Sequence, residues 1–271
     1  MMNKKITSTK NPYIKNVSLL VHKARERRPQ GRFVAEGFRE VSMALRNGFE
    51  VEALFHDETL TGLEQIEELS RLSQSGQPEI ISVNRAVFEK IAYRTSVPNV
   101  VGLFKMKERA LDEVKFRQAP FVLVVEHTEK PGNLGAMLRT ADAAGVDAVI
   151  VCDPQTDVYN PNTIRASLGA VFSLPVVAVS NEEALNWLRQ NDITVMTTSL
   201  EASKSLYDCD LKMGCALVLG SESAGVTDFW LQNADQRIII PMAGQVDSLN
   251  LSASAAVVLF EVVRQRASDK G

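Results

Sequence analysis

Arg139 closes the run Asn133-Leu134-Gly135-Ala136-Met137-Leu138-Arg139, the first place in this chain where residue types and spacing suggest chemistry. A guanidinium stays protonated in proteins and offers five N–H donors in a planar fork, so it suits a phosphate or a developing oxyanion. Further on, Gly220-Ser221-Glu222-Ser223-Ala224-Gly225 sets one carboxylate among two glycines and two serines, in a tight turn that exposes its backbone. A third loop, from Pro241 to Ser252, offers Ser248, Asn250 and Ser252 just before a long apolar segment. Taken singly, each group has a plain explanation. A helical Arg forms a surface salt bridge, a turn carries a solvated Glu, and Ser or Asn caps a helix.

Other chemistries are poorly supported. Gly132 and Gly135 do not make Gly-x-Gly-x-x-Gly, and the sequence holds no P-loop pattern, so neither usual nucleotide fingerprint is present. Cys152, Cys209 and Cys215 form no Cys-x-x-Cys pair, and His22, His56 and His127 are scattered. That argues against a disulfide framework and a metal site, and for a reducing cytoplasm. Apolar runs such as Phe121 to Val125 fall far short of the roughly 20 residues of a membrane span, and no secretory signal is visible.

The elements that must position these loops follow from hydrophobic periodicity. From Pro120 onward, apolar β-branched runs at Phe121–Val125, Asp147–Cys152, Pro175–Val179, Ile193–Thr197, Cys215–Leu219 and Arg237–Ile240 alternate with helical segments. The helices are expected at Asn133–Ala144, Thr163–Phe172, Glu182–Gln190, Thr227–Asn233 and Leu251–Arg266, with Asn133 as an N-cap. This is the pattern of a mostly parallel sheet with helices on both faces, which binds ligands beyond the carboxyl ends of its strands. The loops after Val125, Thr197, Leu219 and Ile240 are therefore the ones that matter. Residues 1–106 read as a smaller α/β domain, beginning with one helix from Asn11 to Arg28, then a charged linker over 107–118 and a second domain over 119–271.

The formal net charge of −3 conceals an asymmetry. Lys4, Lys5, Lys10, Lys15, Lys23, Arg25, Arg27, Arg28 and Arg32 face a single acid, Glu26, in the first 35 residues, while the remainder carries an excess of acids. A basic segment on an acidic body suits binding to a polyanion, because each Lys or Arg on a phosphate releases counterions. Tyr13 is the only ring there before Phe33, so phosphate grip without base readout is the most it supports.

Together, the three loops resemble the three ordered motifs of the SpoU (TrmH-like) RNA 2′-O-methyltransferases of the SPOUT superfamily. The carrying residues are Asn133-x-Gly135-x-x-x-Arg139, Leu219-Gly220-x-Glu222-x-x-Gly225, and Ile240-Pro241-Met242 through Ser248-Leu249-Asn250-Leu251-Ser252. Phe33-Val34-Ala35-Glu36-Gly37 resembles, less specifically, part of the L30e-like substrate-binding domain that such enzymes often carry.

The resemblance implies an α/β fold whose last helix is threaded into a deep trefoil knot, and S-adenosylmethionine bound in that knot. It implies that the cofactor meets Ser199, Leu200, Gly220, Ile240, Met242 and Leu249, and that Arg139, Asn133, Glu222, Ser248 and Asn250 form the catalytic set. The implied activity is methylation of a ribose 2′-hydroxyl in RNA by a cytoplasmic homodimer without metal. Ribosomal RNA is the favoured substrate and transfer RNA the alternative. An inactive RNA-binding or ribosome-assembly factor of the same fold is the competing reading. Glu126 and the residues after it depart from the family's usual aspartate near the strand end.

Overall fold

A computed structural model of the chain describes residues 4–93, 99–202, 204–221 and 223–268. It divides into two compact units, Met1–Glu108 with Asp157–Ser173, and Arg109–Thr156 with Leu174–Gly271.

The first unit contains β1 (Lys4–Ile6), α1 (Pro12–His22), α2 (Ala24–Gln30), β2 (Arg32–Glu36), α3 (Phe38–Arg46), β3 (Val51–His56), α4 (Leu63–Leu72), β4 (Glu79–Val83), α5 (Arg85–Ile91) and β5 (Val101–Lys105). Its strand order is β1-β4-β3-β5-β2, with β5 antiparallel to both neighbours and the other pairs parallel. The Asn11 side chain accepts from the Tyr13 N–H and Pro12 supplies the first helical residue of α1. Ile14, Val17, Leu20 and Val21 turn one buried stripe toward the sheet.

The single helix expected over Asn11–Arg28 is broken at Lys23, which is extended (φ −127°, ψ 107°). The reason lies in Arg27, whose buried guanidinium folds back to donate to the Leu20 and Val21 carbonyls at the end of α1 and pairs with Asp157. The charge reading is thereby narrowed. Lys4, Lys5, Arg25 and Arg32 also have acidic partners, in Glu79, Glu58, Glu26 and Glu52. Lys10, Lys15, Lys23 and Arg28 are exposed without a carboxylate partner among the described residues.

The second sheet is built from β6 (Phe121–Glu126), β7 (Ala148–Cys152), β8 (Val176–Val179), β9 (Thr194–Thr198), β10 (Lys204–Ser205), β11 (Cys215–Leu219) and β12 (Gln236–Ile239). Its order is β10-β12-β9-β11-β6-β7-β8, and every described pair is parallel. Its helices are α6 (Pro131–Ala144), α9 (Asn181–Gln190), α10 (Asp228–Asn233) and α11 (Leu251–Ser268), while α7 (Pro161–Ala166) and α8 (Ala170–Ser173) belong to the first unit. Alternate strand residues Val122, Val124, Ile150 and Val218 pack with Ala184 and Leu188 of α9 and Trp230 of α10. α6 and α11 pack on each other and, through α11, on β11, which covers the opposite face. No helix among the described residues is long and apolar enough to cross a membrane.

The helix expected over Thr163–Phe172 is two, because Leu168 and Gly169 both take left-handed backbone (φ 54° and 86°). Segment 157–173 belongs to the first unit, where Tyr159 and Phe172 stack on Phe33. A Cβ on Gly169 would lie 2.8 Å from the Met43 Cβ, so this close approach of backbone to α3 requires glycine.

Candidate active site

A cavity of about 790 Å³ lies at the carboxyl ends of adjacent strands in the second unit. Thr198 to Glu201 line it from the end of β9, Gly220, Ser221 and Ser223 to Gly225 from the turn after β11, and Ile240, Met242 and Asp247 to Leu251 from the loop after β12, while Lys130 enters from the loop after β6. All four loops singled out by the strand-end rule contribute. All six expected cofactor positions, Ser199, Leu200, Gly220, Ile240, Met242 and Leu249, meet in this lining, with Ser248 and Asn250 beside them.

The turn after β11 is folded on itself. Ser221 N–H donates to the Gly225 carbonyl at 2.9 Å and Gly225 N–H returns to Ser221 at 3.1 Å. A Cβ on Gly220 would fall 1.9 Å from the Gly225 carbonyl carbon, so only glycine lets the chain double back here. The Ser223 hydroxyl donates to Glu129 at 2.8 Å, tying this turn to the loop after β6. Glu222, expected in the catalytic set, lies outside the described residues.

Asn250 performs the capping suggested by its type. Its Oδ1 accepts from the Ser252 N–H at 3.0 Å and the Ser252 hydroxyl at 2.7 Å at the start of α11, leaving Nδ2 as a donor near the cavity. The far end of α11 is fastened by Arg266, which donates to the carbonyls of Ala119, Pro120, Leu211 and Met213, and by Gln265, which bonds Cys209 and Leu211.

Asn133 and Arg139 sit on α6, outside the cavity lining. Asn133 is not the N-cap: α6 starts two residues earlier because Pro131, with φ preset, takes the first helical position and Lys130 precedes it. The Arg139 side chain is exposed, with no ion pair or hydrogen bond among the described residues.

The lining joins the apolar side chains of Leu219, Leu231, Ile238, Ile240 and Leu251 to exposed turn backbone and the hydroxyls of Ser199, Ser221 and Ser254. Lys130, Glu201, Asp228 and Asp247 add charge at its rim. Sequence reading did not single out Lys130, Glu201, Asp228 or Leu231. Asp228 and Leu231 share one face of α10, a one-turn spacing too short to stand out by periodicity. Burial pushes the thiols of Cys152 and Cys209 up, and that of Cys215 up to about 11, so none is a thiolate near neutral pH. No cluster able to hold a metal ion occurs among the described residues. The lining suits an organic ligand that carries both apolar surface and polar edges.

The signature of the SpoU rRNA Methylase family matches residues 120–260, the stretch that builds this sheet and cavity. The chain belongs to that family. Residues 11–102 match the MRM3-like substrate binding domain, the second module of this SpoU protein. A 23S rRNA (uridine(2479)-2'-O)-methyltransferase of Streptomyces viridochromogenes is 30% identical over 275 residues, covering 98% of this chain and 94% of its own. The 23S rRNA (guanosine(2553)-2'-O)-methyltransferase RlmP of Bacillus subtilis (strain 168) is 31% identical over 260 residues, covering 96% and 99%. The crystal structure of an AdoMet-bound rRNA methyltransferase from Sinorhizobium meliloti is similar, with a TM-score of 0.88, 30% identity, and coverage of 96% of this chain and 97% of that one. One of these two SpoU relatives is named for a uridine and the other for a guanosine.

Proposed function

We propose that this protein transfers a methyl group from S-adenosylmethionine to a ribose 2′-hydroxyl of ribosomal RNA. The observation that carries the reading is the convergence of the loops after β9, β11 and β12 on one cavity in a SpoU-family chain. Relatives that align over nearly the whole chain are named for 23S rRNA, and a neighbour of the same fold binds AdoMet. The cavity fits that ligand. Its apolar walls suit an adenine ring, and the doubled-back turn at Gly220 presents backbone where a side chain would obstruct. Ser199, Leu200, Gly220, Ile240, Met242 and Leu249 are its proposed contacts.

When bound, AdoMet supplies a sulfonium methyl that is already a strong electrophile. The remaining work is to align a ribose oxygen and let its proton leave. Arg139 is assigned to grip the adjoining phosphate and stabilise the developing alkoxide. A guanidinium cannot serve as the base, so the proton passes to that phosphate or to water. Asn133 and the Asn250 amide orient the sugar and the arginine, Ser248 holds the loop against the ligand, and Glu222 pairs with Arg139. The last helix is threaded as a trefoil knot, and Gln265 and Arg266 lie where they would fasten it.

Two copies form the working unit. Phe260 on α11 is 47% exposed and Val246 in the preceding loop 64%, apolar groups that a second copy would cover. Residues 1–106 serve as the RNA-gripping domain, through the exposed Lys10, Lys15, Lys23 and Arg28. The cytoplasm suits the three buried free thiols.

The test is transfer of a radiolabelled methyl group from AdoMet to 23S rRNA taken from cells lacking the gene, with the site mapped as a 2′-O-methyl. Transfer only to tRNA would move the substrate assignment, and AdoMet binding without transfer to any RNA would leave an inactive RNA-binding factor. Light scattering showing a monomer at assay concentration would remove the dimer.

A further inference from the structure

Glu126 closes β6 with no exposure to solvent, and none of the three motifs gives it a task. Three donors converge on its carboxylate. Thr227 donates its backbone N–H to Oε2 at 2.8 Å and its hydroxyl to Oε1 at 2.6 Å, and Asn181 donates Nδ2 to Oε1 at 2.8 Å. The Asn181 amide is held from its other side, where Oδ1 accepts the indole N–H of buried Trp230 at 2.7 Å. Bonds to an ionised acceptor are stronger than neutral ones, and burial raises the penalty for breaking them.

Thr227 is where this network reaches the cavity. Val226 before it and Asp228 after it both belong to the lining, and Leu231 follows on α10. The Ser221–Gly225 bridge fixes the body of the turn after β11, and the bonds from Thr227 fasten its exit to β6.

We propose that Glu126 is a positioning residue for cofactor binding, holding Thr227 and thereby setting the cavity wall formed by Val226, Asp228 and Leu231. The proposal rests on the AdoMet reading above. A carboxylate is required here, beyond a side chain of the right size. In Glu126→Gln the new NH₂ group would meet the Thr227 N–H on one side or the Asn181 NH₂ on the other, so donors face donors in either orientation. Asn181 cannot turn to relieve this without giving up Trp230. The mismatch is reversible by design. With Asn181→Asp added, the glutamine amide donates to the new carboxylate, which still accepts from Trp230, and the glutamine oxygen keeps the Thr227 N–H.

The experiment is calorimetric titration of the full-length protein with AdoMet, accompanied by hydrogen exchange over residues 223–233 and steady-state kinetics. Glu126→Gln should weaken AdoMet by about tenfold or more, speed exchange in that stretch, and raise KM for AdoMet more than it lowers kcat. The double variant Glu126→Gln/Asn181→Asp should return affinity to within about threefold of wild type. Wild-type affinity in Glu126→Gln, or a folded double variant no better than the single one, would overturn the proposal. Should Glu126→Gln fail to fold, Thr227→Val carries the test, and unchanged AdoMet affinity there would overturn it equally. A wild-type protein that does not bind AdoMet would instead remove the cofactor reading, before any variant is compared.

Discussion

Two walls of the same cavity are built in opposite ways. The turn after β11 is cross-tied by the Ser221–Gly225 bridge, by Ser223 to Glu129, and by Thr227 to the buried Glu126. The loop from Pro241 to Asn250 is solvent-exposed along nearly its whole length, and its firm attachment is the cap that Asn250 places on α11. One wall is preorganised and presents its backbone before any ligand arrives. The other is exposed and tied mainly at its end, so it is the wall with room to adjust to a ligand. A site with one fixed and one adjustable face keeps the ordering penalty of binding small while still covering what it binds.

The largest expected effect comes from a residue in neither wall. Arg139→Ala should lower methyl transfer by on the order of a thousandfold while AdoMet affinity, read by calorimetry, stays near wild type. Arg139→Lys should fail as well, because a point charge does not reproduce the planar fork. Lost AdoMet binding in either variant would make α6 part of the wall and erase the separation between holding and reacting.

Gly220→Ala strikes the fixed wall. Its Cβ would sit 1.9 Å from backbone, so the turn must open, and AdoMet affinity should fall by about a hundredfold with a matching loss of turnover. Asn250→Ala strikes the adjustable wall and should cost about 1 kcal/mol of stability as a lost cap, seen in chemical denaturation, with a smaller effect on AdoMet affinity. If the two variants weakened AdoMet equally, the contrast between the walls would be wrong.

The smallest effect lies in the first unit and touches neither wall. Burial holds the His56 imidazole below its usual pKa, against the opposing pull of Glu58 and Asp57. The unfolded chain takes up that proton near pH 6.5 and the folded chain only at lower pH. Stability is therefore full above pH 6.5 and declines as pH falls from there toward the folded value. Melting followed from pH 7.5 to 5.5 should show this decline, and His56→Phe should flatten it. The lowered carboxyl groups of Glu58, Glu183 and Glu261 titrate below this window.

Most of the architecture was legible in the chain, because a parallel sheet buried on both faces writes each strand as a continuous apolar run. The six long strands of the second sheet fall within a residue or two of those runs, and the cavity opens at the loops that the strand-end rule selects. What escaped was short or depended on remote partners. β1 has three residues and one buried side chain, too few to show a period. The break at Lys23 depends on Arg27 reaching the end of the previous helix, and the break at Leu168–Gly169 on contact with Met43 far away in sequence. Residue types alone determined that a guanidinium, a glycine-bounded turn and a capping asparagine were available, since those follow from covalent chemistry and local spacing. Tertiary structure alone decided that Glu126 would hold Thr227 across about a hundred residues and that half of the basic segment would be neutralised, since both require groups remote in sequence to meet where water is excluded or opposite charge is near.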